Sequence, residues 1–417
     1  MSLSRTFIKL LSRGLTRPLV GGIGAGYTQG LNITGENENL LIESGSASLF
    51  TVGADATVTD EVGYLEYDPA GGTDTAATIS IPDFTAGDAL IFIRAGAERR
   101  STGAVNLYLG AAGNVRAACS WNYDWVSKTN SIGVCTQAGY TFGALAHLNG
   151  VSNVSFSSDY EMVDILIQYD SFNDIYATFV FNESTRTWTR IGAGKSATSP
   201  YLSPVIRLEG GGDKLTKLRI ESVYVCKPNF VAIGDSICEG STGFAPDYSL
   251  TDFDNCWQKY FTYRQLRNNF VVNRGVGSEN SSEIAARISD LLTECNPQAV
   301  FLHASSNDYG AGFTYTQRNS NISDSVTEIQ AGGAKCVLLN SIYANEDHVN
   351  HPDSGDYTSG WWAENSGNMG ADIKIDIMQP VIDVATGRLD TALAEADGIH
   401  PTKAGYSLIG EFIQTKI

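Results

Sequence analysis

The sequence predicts a three-layer α/β domain with a parallel sheet over residues 228–417. An antiparallel β-sandwich of jelly-roll type precedes it over residues 34–227, and a short basic arm occupies residues 1–33. Three observations lead there. From residue 229 onward, short apolar runs alternate with helical patterns. From about 34 to 227, short strands are separated by turns rich in Gly, Ser, Asn and Asp. The charge is also split, with +4 on residues 1–35 and a net -18 on the whole chain. Length agrees, since 417 residues at roughly 150 per domain suggest two or three domains.

The arm comes first. Arg5, Lys9, Arg13 and Arg17 precede the first acidic residue, Glu36. The remaining 382 residues hold 24 basic against 46 acidic side chains, a net -22. Such a block reads as a separate basic segment. It makes a poor secretion signal, because Lys9, Arg13 and Arg17 interrupt its apolar runs. Gly21, Gly22, Gly24 and Gly26 would cut short an amphipathic surface helix. No stretch approaches the roughly 18 apolar residues of a membrane span. Strong net acidity also disfavours non-specific nucleic-acid binding. With 42% hydrophobic and 18% charged residues, wholesale disorder is excluded.

The β-region follows. Ala89–Ile93, Val163–Ile167 and Tyr176–Phe181 are apolar runs of strand length. Leu218–Val225 begins with the period-two alternation of a half-buried strand. Hardly any 3.6-residue periodicity is present, and one all-β domain can be about 190 residues long. Seven cysteines, an odd number without metal-type spacing, read mostly as buried thiols. Cys119 and Cys135 are candidates for bridging neighbouring strands.

In the last 190 residues the runs Phe230–Ile233, Phe270–Val272, Ala299–Leu302 and Cys336–Leu339 are continuously apolar. Continuous runs suit strands buried on both faces of a parallel sheet. Asn280 with Glu283 forms a helix-start capping pair, and Ile284, Ile288, Leu291, Leu292 and Cys295 follow at helical spacing. Ala404, Leu408, Phe412 and Ile413 mark a last helix. Open α/β sheets carry their sites beyond the carboxyl ends of the strands. The residues there are Gly234-Asp235-Ser236, Asn273 to Ser278, Ser305-Ser306-Asn307-Asp308, and late in the chain Asp397-Gly398-Ile399-His400. Each alone reads as a turn. Together they gather a hydroxyl, backbone donors, an amide and an Asp/His pair at one sheet edge, the parts that acyl transfer needs.

In order and spacing these four segments resemble the SGNH (GDSL-type) hydrolase family over about residues 229–417. The resemblance implies a flavodoxin-like parallel sheet and a serine esterase without cofactor or metal. It makes Ser236 the nucleophile, His400 the general base and Asp397 its orienting carboxylate. The oxyanion donors would be the Ser236 N–H, a backbone N–H at Ser278 or its neighbour Gly277, and the Asn307 side chain. The family's glycine position falls on Ser278, and its Gly-x-Asn-Asp reads Ser305-Ser306-Asn307-Asp308. A serine at a strand-to-helix turn also exposes its hydroxyl near a helix N-terminus, which favours developing negative charge.

Two insertions flank this site, residues 239–255 and 344–370. Trp361 and Trp362 in the second, with Tyr309 nearby, suit stacking on sugar rings; the tryptophans equally suit pinning a long loop to the core. His348 and His351 with Glu346, Asp347 and Asp353 read as a solvated polar loop rather than a metal site. SGNH enzymes with a jelly-roll-like N-terminal module resemble carbohydrate esterases. Residues 13–19 are similar to N-terminal arms of phage tail-associated proteins. The expectation is therefore removal of short acyl groups, O-acetyl foremost, from host surface polysaccharide, in an extracellular or virion-borne setting. Residues 1–33 would dock on tail proteins, and a homo-oligomer is compatible. The competing readings are a lipolytic or thioesterase enzyme, and a virion structural or binding protein with a vestigial hydrolase domain.

Overall fold

The computed structural model describes residues 38–69, 74–80, 88–98, 104–109, 117–124, 129–135, 154–156, 159–170, 175–182, 187–195, 205–211, 217–240, 255–261, 270–304, 306–342 and 354–417. The arm and most of the insertion after Ser236 lie outside them, as do His348 and His351.

Fifteen strands are described before residue 230. They are β1 (Glu38–Ile42), β2 (Thr51–Val52), β3 (Ala56–Glu61), β4 (Tyr64–Pro69), β5 (Ala77–Ser80), β6 (Ala89–Ala97), β7 (Ala104–Leu109) and β8 (Ala117–Asp124). There follow β9 (Thr129–Cys135), β10 (Val154–Phe156), β11 (Val163–Asp170), β12 (Ile175–Asn182), β13 (Thr187–Lys195), β14 (Val205–Gly211) and β15 (Leu218–Cys226). They form two antiparallel sheets, β13-β12-β11-β6-β15-β4-β3 with β1 also on β15, and β10-β9-β8-β7-β14-β5-β2. The alternation of Leu218, Ile220 and their neighbours does belong to a strand, inward residues buried and Arg219 and Glu221 between them. Register sets Cys119 against Val134 and Cys135 against Ala118, so the two cysteines are not strand partners.

Strand β6 explains why Ala89–Ile93 is apolar at every position. Ile91 and Ile93 point into the sandwich core with Ile165, Ile167, Ile206 and Leu208. Leu90 and Phe92 point the other way with Leu166, Phe179 and Trp188, into a second core shared with the C-terminal domain. A strand buried on both faces has no polar side to alternate.

That domain is built on five parallel strands: β16 (Phe230–Gly234), β17 (Val271–Gly275), β18 (Ala299–His303), β19 (Lys335–Leu339) and β20 (Ile373–Ile375). Their order is β17-β16-β18-β19-β20, a doubly wound sheet whose direction of winding reverses between β16 and β18. Four of the five strands are legible in the sequence; β20 is only Ile-Lys-Ile at the sheet edge and is missed. Among the described residues six helices accompany them: α1 (Ser236–Glu239), α2 (Ser281–Ala286), α3 (Ile288–Cys295), α4 (Tyr315–Ala331), α5 (Ser354–Asn365) and α6 (Lys403–Gln414). Asn280 and Glu283 make both bonds of a capping box on α2. Val231 and Ile233 face α2, α3, α4 and the sandwich, while Phe230 and Ala232 face α6 and Trp257. A short hairpin, β21 (Ile382–Asp383) with β22 (Arg388–Leu389), precedes the Asp397 turn.

The expected face of α6 needs correction. Ala404 and Leu408 are exposed; the buried stripe is Gly405, Tyr406, Ile409, Gly410 and Ile413. Helix α6 lies so close to Trp257 that a Cβ on Gly410 would stand 2.5 Å from the Trp257 carbonyl. Counting only apolar side chains gives no weight to a glycine that allows such an approach. The insertion over 344–370 also differs from a plain loop, since α5 occupies much of it. Among the described residues no helix is long and apolar enough to cross a membrane.

The shared core generates a stability prediction. Phe179 of β12 packs on Phe270 with ring centroids 4.7 Å apart. Phe179→Ala is expected to cost about 3–5 kcal/mol, as large core truncations do. It should lower the thermal midpoint of one cooperative transition rather than split it into two.

Candidate active site

Ser236 begins one turn of helix directly after β16, and Asp235 is its N-cap. The Asp235 carboxylate is fully buried and does two jobs. One oxygen accepts from the Ile237 N–H at 3.0 Å; the other accepts from the Ser306 N–H at 3.1 Å and its hydroxyl at 3.4 Å. The Ser236 turn is thus tied to the turn after β18 that carries Asn307. Beneath them His303 is buried, its Nε2 accepting from Trp257 Nε1 at 3.0 Å. Burial pushes its pKa down to about 3, so the ring is a neutral packing element.

The turn after β17 supplies the other wall. Asn273 Nδ2 donates to the Glu239 carbonyl at 3.0 Å, and its oxygen accepts from the Gly275 N–H at 2.9 Å. At Gly275 a Cβ would overlap the Glu239 backbone nitrogen, so only glycine lets α1 pack on this turn. Gly277 stands beside Ser236; a Cβ there would be 3.9 Å from Ser236 Cβ and 2.7 Å from Glu239 Oε2. Ser278 has φ +69°, in the left-handed region that glycine favours. The position where the family resemblance places a glycine therefore keeps a glycine's backbone while carrying serine.

His400 reaches Ser236 from the late turn. Its Nε2 is 2.8 Å from Ser236 Oγ, and its Nδ1 is 2.5 Å from Asp397 Oδ2. The other Asp397 oxygen accepts from the Ile399 and His400 N–H groups at 2.9 and 3.0 Å. Burial alone would raise the Asp397 carboxyl; the His400 ring and those two N–H groups outweigh it and hold the pKa below its ordinary value. An ionised Asp397 accepts from Nδ1–H and leaves Nε2 free to receive a proton from the Ser236 hydroxyl. Residues from two ends of the domain, 164 positions apart, thus meet in one relay.

Asn307 donates from Nδ2 to the Glu279 carbonyl at 2.9 Å, which fixes the plane of its amide. Asp308, next to it, is fully buried. It accepts from the Ser281 N–H at 2.7 Å and pairs with the equally buried Arg318 at 3.2 Å. Burial raises the Asp308 pKa and lowers that of Arg318, each against the attraction of the other. The Arg318 guanidinium also stacks 4.3 Å from the Trp361 ring.

The expected substrate aromatics divide. Trp361 is fully buried, and its Nε1 donates to Asn319 Oδ1 at 2.7 Å. A ring without exposed surface has no face for a sugar, so Trp361 pins α5 to the core. Trp362 is half-buried against the same cluster. Tyr309, two residues beyond Asn307, is half-exposed and lies 5.7 Å from the Tyr357 ring of α5. The supporting residues Asp235, Asn273, Glu279 and Arg318 carry no functional role in the sequence reading. The first two do sit inside the motifs, and their signal is a polar residue at the end of an otherwise apolar strand. Among the described residues no group of three or more His, Cys, Asp or Glu is placed to hold a metal ion.

The backbone at Ser278 gives a test. Ser278→Gly removes a left-handed strain of about 1–2 kcal/mol, partly offset by the about 0.5–1 kcal/mol that glycine's extra freedom adds to the unfolded state. The urea midpoint should rise slightly, with turnover retained because the backbone N–H remains.

Residues 232–408 match the model of the GDSL-like lipase/acylhydrolase family. Solved structures similar to the chain include a protein described as lipolytic, of the G-D-S-L family, from Desulfitobacterium hafniense DCB-2. It is 20% identical, with a TM-score of 0.38, over 46% of this chain and 99% of its own. The psychrotrophic esterase EstA from Pseudoalteromonas sp. is 21% identical, with a TM-score of 0.35, over 45% and 96%. A single-substitution variant of the acetyl-xylooligosaccharide esterase Axe2 from Geobacillus is 17% identical, with a TM-score of 0.34, over 45% and 92%. The comparison with curated proteins gives no match.

Proposed function

We propose that the chain uses its GDSL-like acylhydrolase domain as a serine esterase that removes short acyl groups, O-acetyl foremost, from a polysaccharide. The observation that carries this reading is the relay from Ser236 Oγ to His400 Nε2 at 2.8 Å and from His400 Nδ1 to Asp397 at 2.5 Å. In it, Ser236 Oγ attacks the ester carbonyl while His400 Nε2 takes its proton. Asp397 stabilises the resulting imidazolium. The N–H groups of Ser236 and of Ser278 or Gly277, with the Asn307 amide, hold the tetrahedral oxyanion. Collapse breaks the bond to the sugar oxygen, which leaves as the alcohol with the proton from His400. Water, activated by the same ring, then attacks the acyl-enzyme and releases the carboxylic acid.

Polarity supports a short acyl group on a sugar. The half-exposed Tyr309 and Tyr357 rings stand beside the Asn307 turn, where one face of a pyranose can stack. The net -22 on residues 36–417 suits a neutral acylated glycan better than a strongly anionic one. The test is acetate release from a panel of O-acetylated polysaccharides, with p-nitrophenyl acetate as the general ester. Wild type should turn over both, and Ser236→Ala should lose at least about 10³-fold. Preference for octanoate over acetate esters would replace this reading with a lipolytic one.

The setting belongs to the same proposal. The basic arm, residues 1–33, would anchor the enzyme on a virion tail and bring it to host surface glycan. Particles assembled with a chain lacking residues 1–33 should then lose the esterase on purification. Full retention would defeat the anchor.

A further inference from the structure

We propose that Asp88, on the β-sandwich, is a positioning residue for the oxyanion site: it holds Arg274 and, through Arg287 and Glu279, fixes the Asn307 amide. This rests on the role given to Asn307 above.

The connection can be followed bond by bond. Asp88 opens onto β6 and is completely buried; its carboxylate bonds the Arg274 guanidinium, which is 2% exposed. Asp88 itself is held by its N–H on the Glu294 carbonyl at 2.9 Å and by Cys295 Sγ on its second oxygen at 3.3 Å. Arg274 belongs to β17, one residue before the Gly275–Ser278 turn. Its carbonyl accepts from Arg287 Nη1 at 3.0 Å. Arg287 Nε and Nη2 both donate to Glu279 Oε2, the former at 3.1 Å. The Glu279 carbonyl then takes the Asn307 Nδ2 proton at 2.9 Å. Glu279 also follows Ser278 directly, so the chain of bonds flanks two of the assigned oxyanion donors.

A purely adhesive role for Asp88 predicts something different. Removing Asp88 takes the nearer carboxylate from the buried Arg274, leaving Glu294 Oε2 at 3.5 Å, and weakening a buried ion pair destabilises whatever the pair does. Glue alone would lower stability and leave each folded molecule fully active. A positioning role changes the rate per folded molecule, because small displacements of a preorganised donor weaken its hold on the transition state.

The experiment uses the full chain with Asp88→Asn, Arg287→Gln and the two combined. Turnover of p-nitrophenyl acetate is divided by sites counted with a phosphonate ester, so unfolded molecules drop out. Each single variant should lose about tenfold or more in kcat with KM within about twofold. The combined variant should be scarcely worse than the worse single, because both changes cut one chain. Should Asp88→Asn not fold, Asp88→Asn with Arg274→Gln removes both buried charges together and is read the same way. Losses that multiply in the combined variant, or kcat per site within twofold of wild type, overturn the proposal. Turnover surviving Ser236→Ala overturns the catalytic reading, and the proposal with it. A dead Ser236→Ala beside unaffected Asp88→Asn and Arg287→Gln overturns the proposal alone.

Discussion

The sheet that contains β6, β11 and β12 is covered on both faces over Ala89–Ile93 and Ile165–Ile167, and much of the architecture follows from that. One side closes the sandwich through Ile91, Ile93, Ile165 and Ile167. The other closes the α/β domain through Leu90, Phe92, Leu166 and Phe179. Burying one large apolar side chain stabilises by about 1.5–3 kcal/mol, so four of them outweigh any single polar contact across the boundary. The two parts of the chain therefore share a core and are not beads on a string. The buried pair of Asp88 and Arg274 lies within this seam. Its net stabilisation is small in such a setting, but it fixes direction where apolar contact fixes only proximity.

Within the α/β domain, organisation comes from two buried carboxylates. Asp235 caps the Ser236 turn and bonds the neighbouring turn through Ser306. Asp308 holds the start of α2 and pairs with Arg318 beneath Trp361. Both are fully buried, so both interactions act in a medium far less polarisable than water. The strand order places these two turns side by side, at the point where the winding reverses.

The legible parts of the sequence are those where one residue type has one physical use. The continuous runs at 230, 270, 299 and 336 mark strands covered on both faces, and Asn280 with Glu283 marks a helix start. The parts of the relay are legible because Asp397 and His400 sit three apart and Ser236 lies just past the end of an apolar strand. Other features depend on partners distant in sequence. The apolar run Ala89–Ile93 reads as a strand, but which domain covers its second face is decided by residues almost two hundred positions later. Trp361 reads equally as a sugar platform or a core ring until Arg318 and Asn319 are seen beneath it. In helix α6 Ile413 and Phe412 do meet the core, but Ala404 and Leu408 do not, because Gly405 and Gly410 add nothing to a hydrophobic count although close approach buries them. Strand β20 is too short to carry a period.

The Asp397 turn has a geometric consequence. One carboxylate oxygen binds the two N–H groups of its own turn and the other binds the His400 ring. Acid, ring and backbone thus close on themselves within four residues, making a rigid body with almost no internal degrees of freedom. What remains adjustable is how this unit as a whole is placed against Ser236, with His400 Nε2 at 2.8 Å from its Oγ. Sequence change in the hairpin before it or in α6 after it can vary that placement without altering the protonation chemistry it carries.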